Sequence, residues 1–596
     1  MSAQASICSH YQPPLQDIRF VQQHWLGAEA DWRRMPAHEA LDQETADMVV
    51  EAAGRFCADV LAPLNGPADL QGCRLEEGRV RTPDGFPEAY AAFVEAGWPA
   101  LACAPEAGGQ GLPQLLDAAL HEMLASANHG WTMYPGILHG AYACLHAHGD
   151  AHLRATYLPH IVSGRWLATM CLTEPQAGSD LGLLRSQARP RGDGSYSLDG
   201  SKIFISGGDQ DMSENIVHLV LARLPDAPAG TRGLSLFLAP RGIPQDGGGF
   251  LPNAIHCDGI EKKMGIKGSA TCAMRFEGAQ AWLVGQPHQG LAAMFVMMNS
   301  ARLHVGLQGL GHAEMAWQLA RAYAAERRQM RAQPRPADAQ GPADPIALQP
   351  AVQRMLADLR VWTEGMRAIA GWVAHQLDLA EQAPDAAERA QAHALASLLT
   401  PVVKSFFTER GFALASEALQ VFGGYGYVHE YRIEQTLRDA RIAMIYEGTN
   451  QIQALDLLQR KVAASGGAAL APLLAALREE AAACEAAGME PGLAGALRSW
   501  SDRTEALTGA LCARAAGDAP LLARCAEDYL RLVGTLCMAF AWARAARVSQ
   551  PLADPALRRS KADSAAWFFA HGLLDAEHWL RRTESAARTP LPAAVA

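Results

Sequence analysis

The chain has 596 residues, too many for one hydrophobic core, and its 49% hydrophobic and 19% charged residues are typical of a folded multidomain protein rather than a disordered one. The net charge of −11 argues against nucleic acid as a main partner. The 12 cysteines include no Cys-x-x-Cys pair, which favours free thiols in a reducing compartment and no metal site.

The first 39 residues are an N-terminal extension in which no basic segment precedes an apolar core, so we expect no signal peptide. No apolar run in the sequence reaches the length of a membrane span. These features predict a cytoplasmic protein without an integral membrane segment.

Residues 40–164 carry a helical pattern. In "ALDQETADMVVEAAGRFCADVLAPLN" the apolar residues recur every three or four positions after an acid-rich start. The stretches "PEAYAAFVEAGWPAL" and "LLDAALHEMLASANHG" repeat the pattern. We therefore expect an N-terminal helical domain over 40–164.

The pattern changes to strands over 165–285. The stretch "SYSLDGSKIFISGG" alternates apolar and polar residues around Asp199-Gly200, which predicts a tight turn. The stretches "NIVHLVLARL" and "GLSLFLAPR" are further strand candidates. Closely spaced turn residues favour a middle β domain built as a small barrel or sandwich.

Helices return over 286–463. One long helix is expected from Gly290 to Arg328, then helices over Val352–Leu379 and Ala386–Phe422, and another beginning near Gln451. Residues 464–472 have the composition of a linker, and residues 473–596 have the periodicity of an additional C-terminal helical domain. The whole chain is predicted to be an α+β multidomain protein.

The stretch "RIAMIYEGTNQIQALDLLQ" places one carboxylate, Glu447, between an apolar run and a small polar turn. A desolvated carboxylate has a raised pKa and suits the role of general base. The alternative is a turn acid that caps the helix beginning near Gln451. This stretch alone leaves both interpretations open.

Two other stretches offer groups that suit a flat ligand. "MCLTEPQAGSDLGLL" contains the Thr173 hydroxyl and a small turn at Gly178-Ser179, although such groups also satisfy their own backbone in ordinary loops. "SKIFISGGD" ends a strand with Phe204 and Ser206, and an aromatic there covers a ring face or packs in a core.

A fourth stretch, "QVFGGYGYVHEYRIEQTLRDARI", ends a helix at Gly423-Gly424, where another backbone can approach closely. No Gly-x-Gly-x-x-Gly follows a strand, so a nucleotide cofactor would be held in another way. In their order and spacing, the four stretches together resemble the acyl-CoA dehydrogenase family over about residues 40–462.

The resemblance implies a fold and a cofactor. The fold is an N-terminal helical domain, a middle β domain and a C-terminal four-helix bundle, and the cofactor is non-covalently bound FAD. The N-terminal "YQPPLQDIRFV", the middle "SGGDQDMSENIVHLVLAR" and the extra C-terminal domain resemble a longer bacterial branch. That branch includes 3-methylmercaptopropionyl-CoA dehydrogenases and relatives that act on straight-chain acyl-CoAs.

The implied reaction is the α,β-desaturation of an acyl-CoA thioester to the trans-2-enoyl-CoA, with hydride transfer to flavin N5. Glu447 matches the family's general base. One branch of the family carries its base just before an arginine on another helix, and the matching pair here is Ala301-Arg302. Alanine cannot be a base, which favours Glu447. Arg302 matches an arginine that lies near the CoA moiety in the family. The alternative is that Arg302 forms an ion pair with a neighbouring carboxylate.

The resemblance also assigns binding residues. The positions that match FAD contacts of the family are Leu172, Thr173, Gly178, Ser179, Phe204, Ser206, Arg327, Gln420, Gly423, Gly424, Thr449 and Gln451. The positions assigned to the acyl-CoA are Ser179, Arg302, Gly448, Trp131 and Tyr134, with Leu138 as a further wall of the acyl pocket. Core packing is the alternative for Trp131, Tyr134 and Leu138.

The chain departs from the family pattern in two places. Phe204 and Ser206 stand where a tryptophan and a threonine are usual. The common Arg-Lys-x-Phe-Gly pattern is replaced by "RRQMRA", which puts the contact of Arg327 with FAD of a neighbouring subunit in question.

The implied partners are an acyl-CoA substrate and an electron-transferring flavoprotein, and we expect a homodimer that serves fatty acid β-oxidation. An acyl-CoA oxidase, which passes electrons to oxygen, has the same fold and base, so the sequence leaves it open. A non-catalytic acyl-CoA-binding protein is a further alternative, against which Glu447, Thr173 and Ser179 argue.

Overall fold

The computed structural model describes residues 11–518 and 520–589, so residues 1–10 of the predicted N-terminal extension and the last residues of the C-terminal domain lie outside it. The chain divides into two compact units. Unit 1 contains the residues up to 54, residues 114–122 and the residues from 305 onward. Unit 2 contains residues 55–113 and 123–304.

Helices account for most of unit 1 and for the N-terminal part of unit 2. In chain order the α-helices are α1 (Leu15–Arg19), α2 (Ala28–Trp32), α3 (Gln43–Phe56), α4 (Ala62–Gln71), α5 (Phe86–Glu95), α6 (Gln114–Thr132), α7 (Leu138–His148), α8 (Ala151–Val162), α9 (Gly290–Glu326), α10 (Pro350–Gln382), α11 (Ala386–Phe422), α12 (Ile433–Ala440), α13 (Asn450–Leu455), α14 (Ala471–Ala486), α15 (Pro491–Ala515), α16 (Leu521–Ser549), α17 (Pro555–Trp567) and α18 (Leu574–Arg588). The long helices predicted from periodicity are therefore confirmed as α9, α10 and α11.

The strands lie in unit 2. They are β1 (Arg74–Glu76), β2 (Arg79–Arg81), β3 (Trp166–Cys171), β4 (Gln187–Pro190), β5 (Tyr196–Ser206), β6 (Asn215–Arg223), β7 (Leu234–Pro240), β8 (Gly242–Pro244), β9 (Phe250–Pro252), β10 (Ile255–Ile260) and β11 (Thr271–Val284). The main sheet has the order β10-β11-β5-β4-β6-β3, and β7 pairs with both β11 and β6. The ring β11-β5-β4-β6-β7 is therefore closed, and the predicted middle β domain is a barrel.

The tight turn predicted at Asp199-Gly200 is wrong. Both residues lie inside β5, where Asp199 pairs with Gln187 of β4 and with Glu277 of β11. Glycine is required there by close packing, because a Cβ on Gly200 would lie 2.3 Å from the Ser186 hydroxyl oxygen. The glycine thus marks a close contact within the barrel rather than a chain reversal.

A short hairpin, β1–β2, interrupts the region that was expected to be helical. Arg74 pairs with Arg81, and the turn residues Glu77 and Gly78 both have positive φ, 50° and 75°. Two consecutive positive φ values are typical of the tight turns that join antiparallel strands. The helical interpretation of residues 40–164 missed this hairpin because each strand has only three residues.

The N-terminal and C-terminal extensions pack against the helices of unit 1. The Trp25 indole, which is fully buried, donates to the carbonyl of Ala541 in α16 at 3.0 Å. Helix α16 also approaches α10 closely, since a Cβ on Gly365 would lie 2.2 Å from the Met538 methyl group. Most residues of α16 are buried, so this apolar helix is part of the core. Across residues 11–518 and 520–589, no helix is long and apolar enough to cross a membrane.

A buried ion network links both extensions to α10. Lys561 of α17 donates to Asp17 of α1 at 2.6 Å and to Glu364 of α10 at 2.8 Å. Burial alone would lower the pKa of Lys561, but the two carboxylates outweigh it and raise that pKa. Because the lysine is only 2% exposed, removing it leaves Asp17 without its nearest counter-charge and leaves Glu364 paired with Arg360.

We expect Lys561→Met to destabilise unit 1 by about 3 kcal/mol, because breaking a buried ion pair from one side leaves an uncompensated charge. Differential scanning calorimetry would show this as a lower Tm. Arg559→Met, at an exposed position of the same helix, is the control and should leave Tm almost unchanged. Equal Tm values for the two variants would contradict a structural role for the network.

Candidate active site

The turn that follows β3 carries the first group of predicted site residues. Leu172 and Thr173 are half-buried, whereas Gly178 and Ser179 are exposed. The Thr173 carbonyl accepts a hydrogen bond from the Ile203 amide at 2.9 Å, which joins the turn to β5. The structure therefore brings the turn at 172–180 beside the strand that carries Phe204 and Ser206.

A buried ion pair that the sequence analysis did not assign holds this arrangement. The fully buried Lys202 ammonium donates to the Leu172 carbonyl at 3.0 Å and to Glu174 at 2.9 Å. Glu174 also accepts from Ser186 and from the Arg185 amide. Burial would raise the pKa of Glu174, but Lys202 and these hydrogen bonds outweigh it and hold the pKa at about 2. The pair fixes the turn against β5.

Phe204 lies at a β-bulge and faces solvent. Ile205 pairs with Cys272 and Lys202 pairs with Met274, so two residues of β5 stand opposite Ala273 alone. At this bulge Phe204 has φ of +60°, which is unusual for a bulky residue, and its side chain is 60% exposed. Bulges often redirect a side chain next to a functional site. The bulge exposes the aromatic ring of Phe204. The alternation of side chains along β5 alone would not predict this exposure.

Tyr134 supports the end of β5 from behind. Its hydroxyl accepts from the Ala270 amide at 2.8 Å and donates to the Gly268 carbonyl at 3.1 Å. A Cβ on Gly207 would lie 3.1 Å from the tyrosine ring. Tyr134 is only 2% exposed, so it is part of the packing behind Ser206 and Gly207. This position agrees with core packing, the alternative to a pocket wall that the sequence left open.

Three further residues assigned to the acyl-CoA, Trp131, Leu138 and Arg302, are buried in unit 2. Trp131 is fully buried, packs edge-on against Phe93 and donates to the Phe86 carbonyl at 3.3 Å. This position favours core packing over a role as pocket wall. Leu138 is also buried, in α7. The buried Arg302 guanidinium lies 5.8 Å from the centre of a phenylalanine ring in the same helix.

In unit 1, Glu447 lies in the turn that precedes α13. It is half-buried and has φ of +57°, followed by Gly448 with φ of +79°. Its carbonyl accepts from the Gln453 side chain at 3.1 Å, and a Cβ on Gly448 would lie 2.8 Å from the same amide nitrogen. Burial and the nearby Glu447 carboxylate raise the pKa of Tyr446. The helix cap is Thr449, not Glu447, which removes the capping interpretation.

A second buried lysine fixes this turn. The Lys404 ammonium is fully buried and donates to the Gly448 carbonyl at 2.7 Å and to the Asn450 side chain at 3.1 Å. Asn450 in turn donates to the Ser405 carbonyl at 3.1 Å. The signal in the sequence is the lysine inside the apolar run "TPVVKSFF", because a buried ammonium requires several acceptors. Lys404 is not among the site residues that the sequence predicts.

The remaining predicted FAD contacts of unit 1 form two groups. The Arg327 guanidinium lies 5.2 Å from the Tyr425 ring, and Gly423 and Gly424, which precede this tyrosine in the chain, are exposed. A Cβ on either glycine would meet nothing within 4 Å. Gln420, one turn earlier, is also exposed.

The second group follows Glu447. The Thr449 hydroxyl accepts from the Ile452 amide at 3.3 Å, and the exposed Gln451 side chain donates to Glu527 of α16 at 3.3 Å. The C-terminal helical domain therefore contacts a residue that was assigned to the cofactor.

Comparison with known proteins identifies the fold segment by segment. Models of the acyl-CoA dehydrogenase N-terminal, middle and C-terminal domains match residues 43–165, 169–279 and 288–462. A further model, described as acetyl-CoA dehydrogenase C-terminal like, matches residues 461–593. Together these matches cover most of the chain, including the additional C-terminal helical domain.

Individual relatives agree with these matches. A 3-methylmercaptopropionyl-CoA dehydrogenase of Ruegeria pomeroyi is 45% identical over 462 residues, 77% of each chain. A broad-specificity linear acyl-CoA dehydrogenase of Mycobacterium tuberculosis is 34% identical over 489 residues, 79% of this chain and 78% of the relative.

A solved acyl-CoA dehydrogenase of Bacillus anthracis, complexed with FAD, has the same fold. Its TM-score is 0.73 at 22% identity, and the match covers 95% of this chain and 92% of that one. The resemblance drawn from the four sequence stretches is therefore confirmed, and the chain belongs to the acyl-CoA dehydrogenase family of flavin-dependent oxidoreductases.

Proposed function

We propose that the chain desaturates an acyl-CoA thioester to the trans-2-enoyl-CoA, with FAD as cofactor and Glu447 as general base. The observation that carries the proposal is Glu447 itself. It is a half-buried carboxylate on a strained turn, which is anchored by side-chain hydrogen bonds to the carbonyl of Glu447 and to that of Gly448. Strained backbone conformations that several contacts hold in place are common at functional sites, where one side chain must keep a fixed position.

The residues of unit 2 fit a planar cofactor. Phe204 offers an exposed ring, and Gly178 and Ser179 offer an exposed turn where a Cβ on the glycine would meet nothing within 4 Å. Leu172, Thr173 and Ser206 complete this surface. Phenylalanine supplies stacking area but, unlike tryptophan, no N–H donor. We therefore assign the isoalloxazine ring to these residues, and the solved relative from Bacillus anthracis is complexed with FAD.

We assign the proton transfer to the Glu447 carboxylate. The α-proton of a thioester is far less acidic than a carboxylic acid in water, so the base must act in a site that excludes water. Hydrogen bonds to the thioester oxygen, including one from the backbone amide of Glu447, would stabilise the developing enolate. FAD, held by the residues of unit 2 named above, would supply the acceptor for the β-hydride.

The relatives support a proposal for the substrate class. One acts on 3-methylmercaptopropionyl-CoA and another on linear acyl-CoAs, and we propose that this chain takes an acyl-CoA of one of these two kinds. Arg302 is the residue assigned to the CoA moiety, and Gly448 to the thioester. Both assignments rest on positions that match the family.

We also propose a homodimer that passes electrons to an electron-transferring flavoprotein. The segment at 420–428 supports a subunit interface, because Tyr425 and Tyr427 expose 43% and 84% of their surface. Arg327, over the Tyr425 ring, and the exposed Gly423 and Gly424 give this surface a cation and an open backbone, which suit the pyrophosphate of FAD held by a neighbouring subunit.

We expect Phe204→Ala to weaken FAD binding about tenfold, because ring stacking is worth about 1.5 kcal/mol. Phe250→Ala is the matched control, since Phe250 is another exposed phenylalanine of the β domain at 42% exposure. Flavin fluorescence titration of the apoproteins would measure both affinities. A Phe204→Ala affinity equal to that of wild type would contradict the stacking role.

Replacing the base should separate flavin binding from chemistry. Wild type should lose its yellow colour anaerobically with short, medium, long or methylmercaptopropionyl thioesters, and the responsive thioesters define the substrate class. Glu447→Gln should keep its flavin and bleach at least about 10³-fold more slowly, because a glutamine cannot accept the proton.

Glu430→Gln, at an exposed position of the same region, is the control and should bleach at the wild-type rate. Bleaching of Glu447→Gln at the wild-type rate would show that another group is the base. Stoichiometric hydrogen peroxide during aerobic turnover would identify an oxidase and contradict the electron-transferring flavoprotein as acceptor. A protein that binds acyl-CoA without flavin would be a binding protein rather than an enzyme.

A further inference from the structure

The β1–β2 hairpin is joined by side chains to the loop that follows β5. The two strands form a sheet of their own, so the amides on the outer side of β2 need acceptors from elsewhere. The Asp209 carboxylate accepts from the Val80 amide at 2.9 Å. The Asp211 carboxylate accepts from the Thr82 amide at 3.2 Å and from its hydroxyl at 2.7 Å. Two alternate carboxylates of the loop therefore take the place of a third strand beside β2.

Asp209 is the centre of this junction. Its Oδ2 accepts a further hydrogen bond from the Arg79 side chain at 3.2 Å, and its Oδ1 accepts from the Arg241 side chain at 3.0 Å. Asp209 is only 4% exposed, so burying its charge requires such partners. Arg241 also donates to the Gln210 carbonyl at 3.2 Å, which fixes the backbone of the same loop. The carboxylate thus joins the hairpin, the loop after β5 and the connection between β7 and β8.

Two glycines separate Asp209 from Ser206, which the proposed function assigns to FAD. Gly207 has a positive φ of 62°. A Cβ on Gly208 would lie 2.7 Å from the Met274 sulfur, so a larger residue does not fit there. Glycines add little rigidity of their own, because their backbone has more accessible conformations than that of any other residue. The position of Ser206 therefore depends in part on Asp209, which holds the chain on the far side of the two glycines.

We propose that Asp209 is a positioning residue of the flavin site, which it ties to the β1–β2 hairpin. This inference rests on the proposed function, because the assignment of FAD to Phe204 and Ser206 is what gives the strand end a role. Asp209 acts by fixing the end of β5 from which these two residues project. The hairpin supplies the Val80 amide and the Arg79 guanidinium that hold the carboxylate in place. Groups that contact a ligand bind it well only when such supporting contacts hold them within a fraction of an ångström.

Two variants test the junction at different depths. Asp209→Asn keeps the size of the side chain, but its amide group presents a donor where an arginine needs an acceptor. Asp211→Ala removes the acceptor of the Thr82 amide and hydroxyl at a half-buried position, where a substitution disturbs the fold less. Asp258→Asn is the matched control, because it breaks an exposed ion pair with Arg275, 2.8 Å long, elsewhere on the β domain.

Flavin fluorescence titration of the full-length apoproteins would measure the FAD affinity of each variant. We expect Asp209→Asn to weaken FAD binding about tenfold and Asp211→Ala about threefold, because a loosened strand end holds its two FAD contacts less firmly. Asp258→Asn should bind FAD as wild type does. Hydrogen exchange of the same apoproteins, followed by mass spectrometry, should be faster at residues 203–208 and in the hairpin for the first two variants and unchanged for the control.

Unchanged exchange at residues 203–208 in both variants would overturn the proposal, and so would exchange that rises equally across unit 2, which indicates a general loss of stability. Faster local exchange with wild-type FAD affinity would overturn the link to the flavin site. If Asp209→Asn does not fold, Asp211→Ala decides the question by the same two measurements. A wild-type protein that binds no FAD would contradict the proposed function itself, and hydrogen exchange, which needs no cofactor, would still test whether the junction restrains β5.

Discussion

The site of this protein depends on the cost of burying a lysine ammonium. A buried ammonium must be surrounded by acceptors, because leaving it unsatisfied costs several kcal/mol. In unit 2, Lys202 meets this need with the Leu172 carbonyl and Glu174. In unit 1, Lys404 meets it with the Gly448 carbonyl as one acceptor. Each lysine thus holds a turn by its backbone, and each turn carries a residue to which the proposed function assigns a role.

The second shared feature is backbone strain beside each lysine. Phe204 and Glu447 both have positive φ, +60° and +57°, a conformation that costs a non-glycine residue of order 1–3 kcal/mol. Such strain persists only where surrounding contacts fix it. The β-bulge opposite Ala273 fixes the first residue, and the hydrogen bonds from Gln453 and Lys404 fix the second. The result is an exposed ring in one unit and a half-buried carboxylate in the other, which are the two groups that the proposed reaction needs most.

The sequence predicts those parts of the structure that depend on long periodic patterns or on whole motifs. Helices α10 and α11 follow directly from their apolar spacing, because 33 and 37 residues average out local exceptions. The prediction of a turn at Asp199-Gly200 is wrong, because a glycine in a sequence indicates close packing inside a strand as well as a chain reversal. The exposure of Phe204 is invisible in sequence, since it depends on the register between two strands. Lys202 and Lys404 were visible as charges in apolar runs, but their acceptors come from segments distant in sequence.

The central claim is that the Glu447 carboxylate removes the α-proton of the substrate. The most direct measurement follows exchange of that proton with D₂O by NMR. The probe is an acyl-CoA thioester with sulfur in place of the β-carbon, so that no hydride can leave. The account predicts exchange catalysed by wild type and its loss, by at least about 10³-fold, in a Glu447→Gln variant that retains flavin and binds the thioester. Exchange at the wild-type rate in that variant would contradict the account.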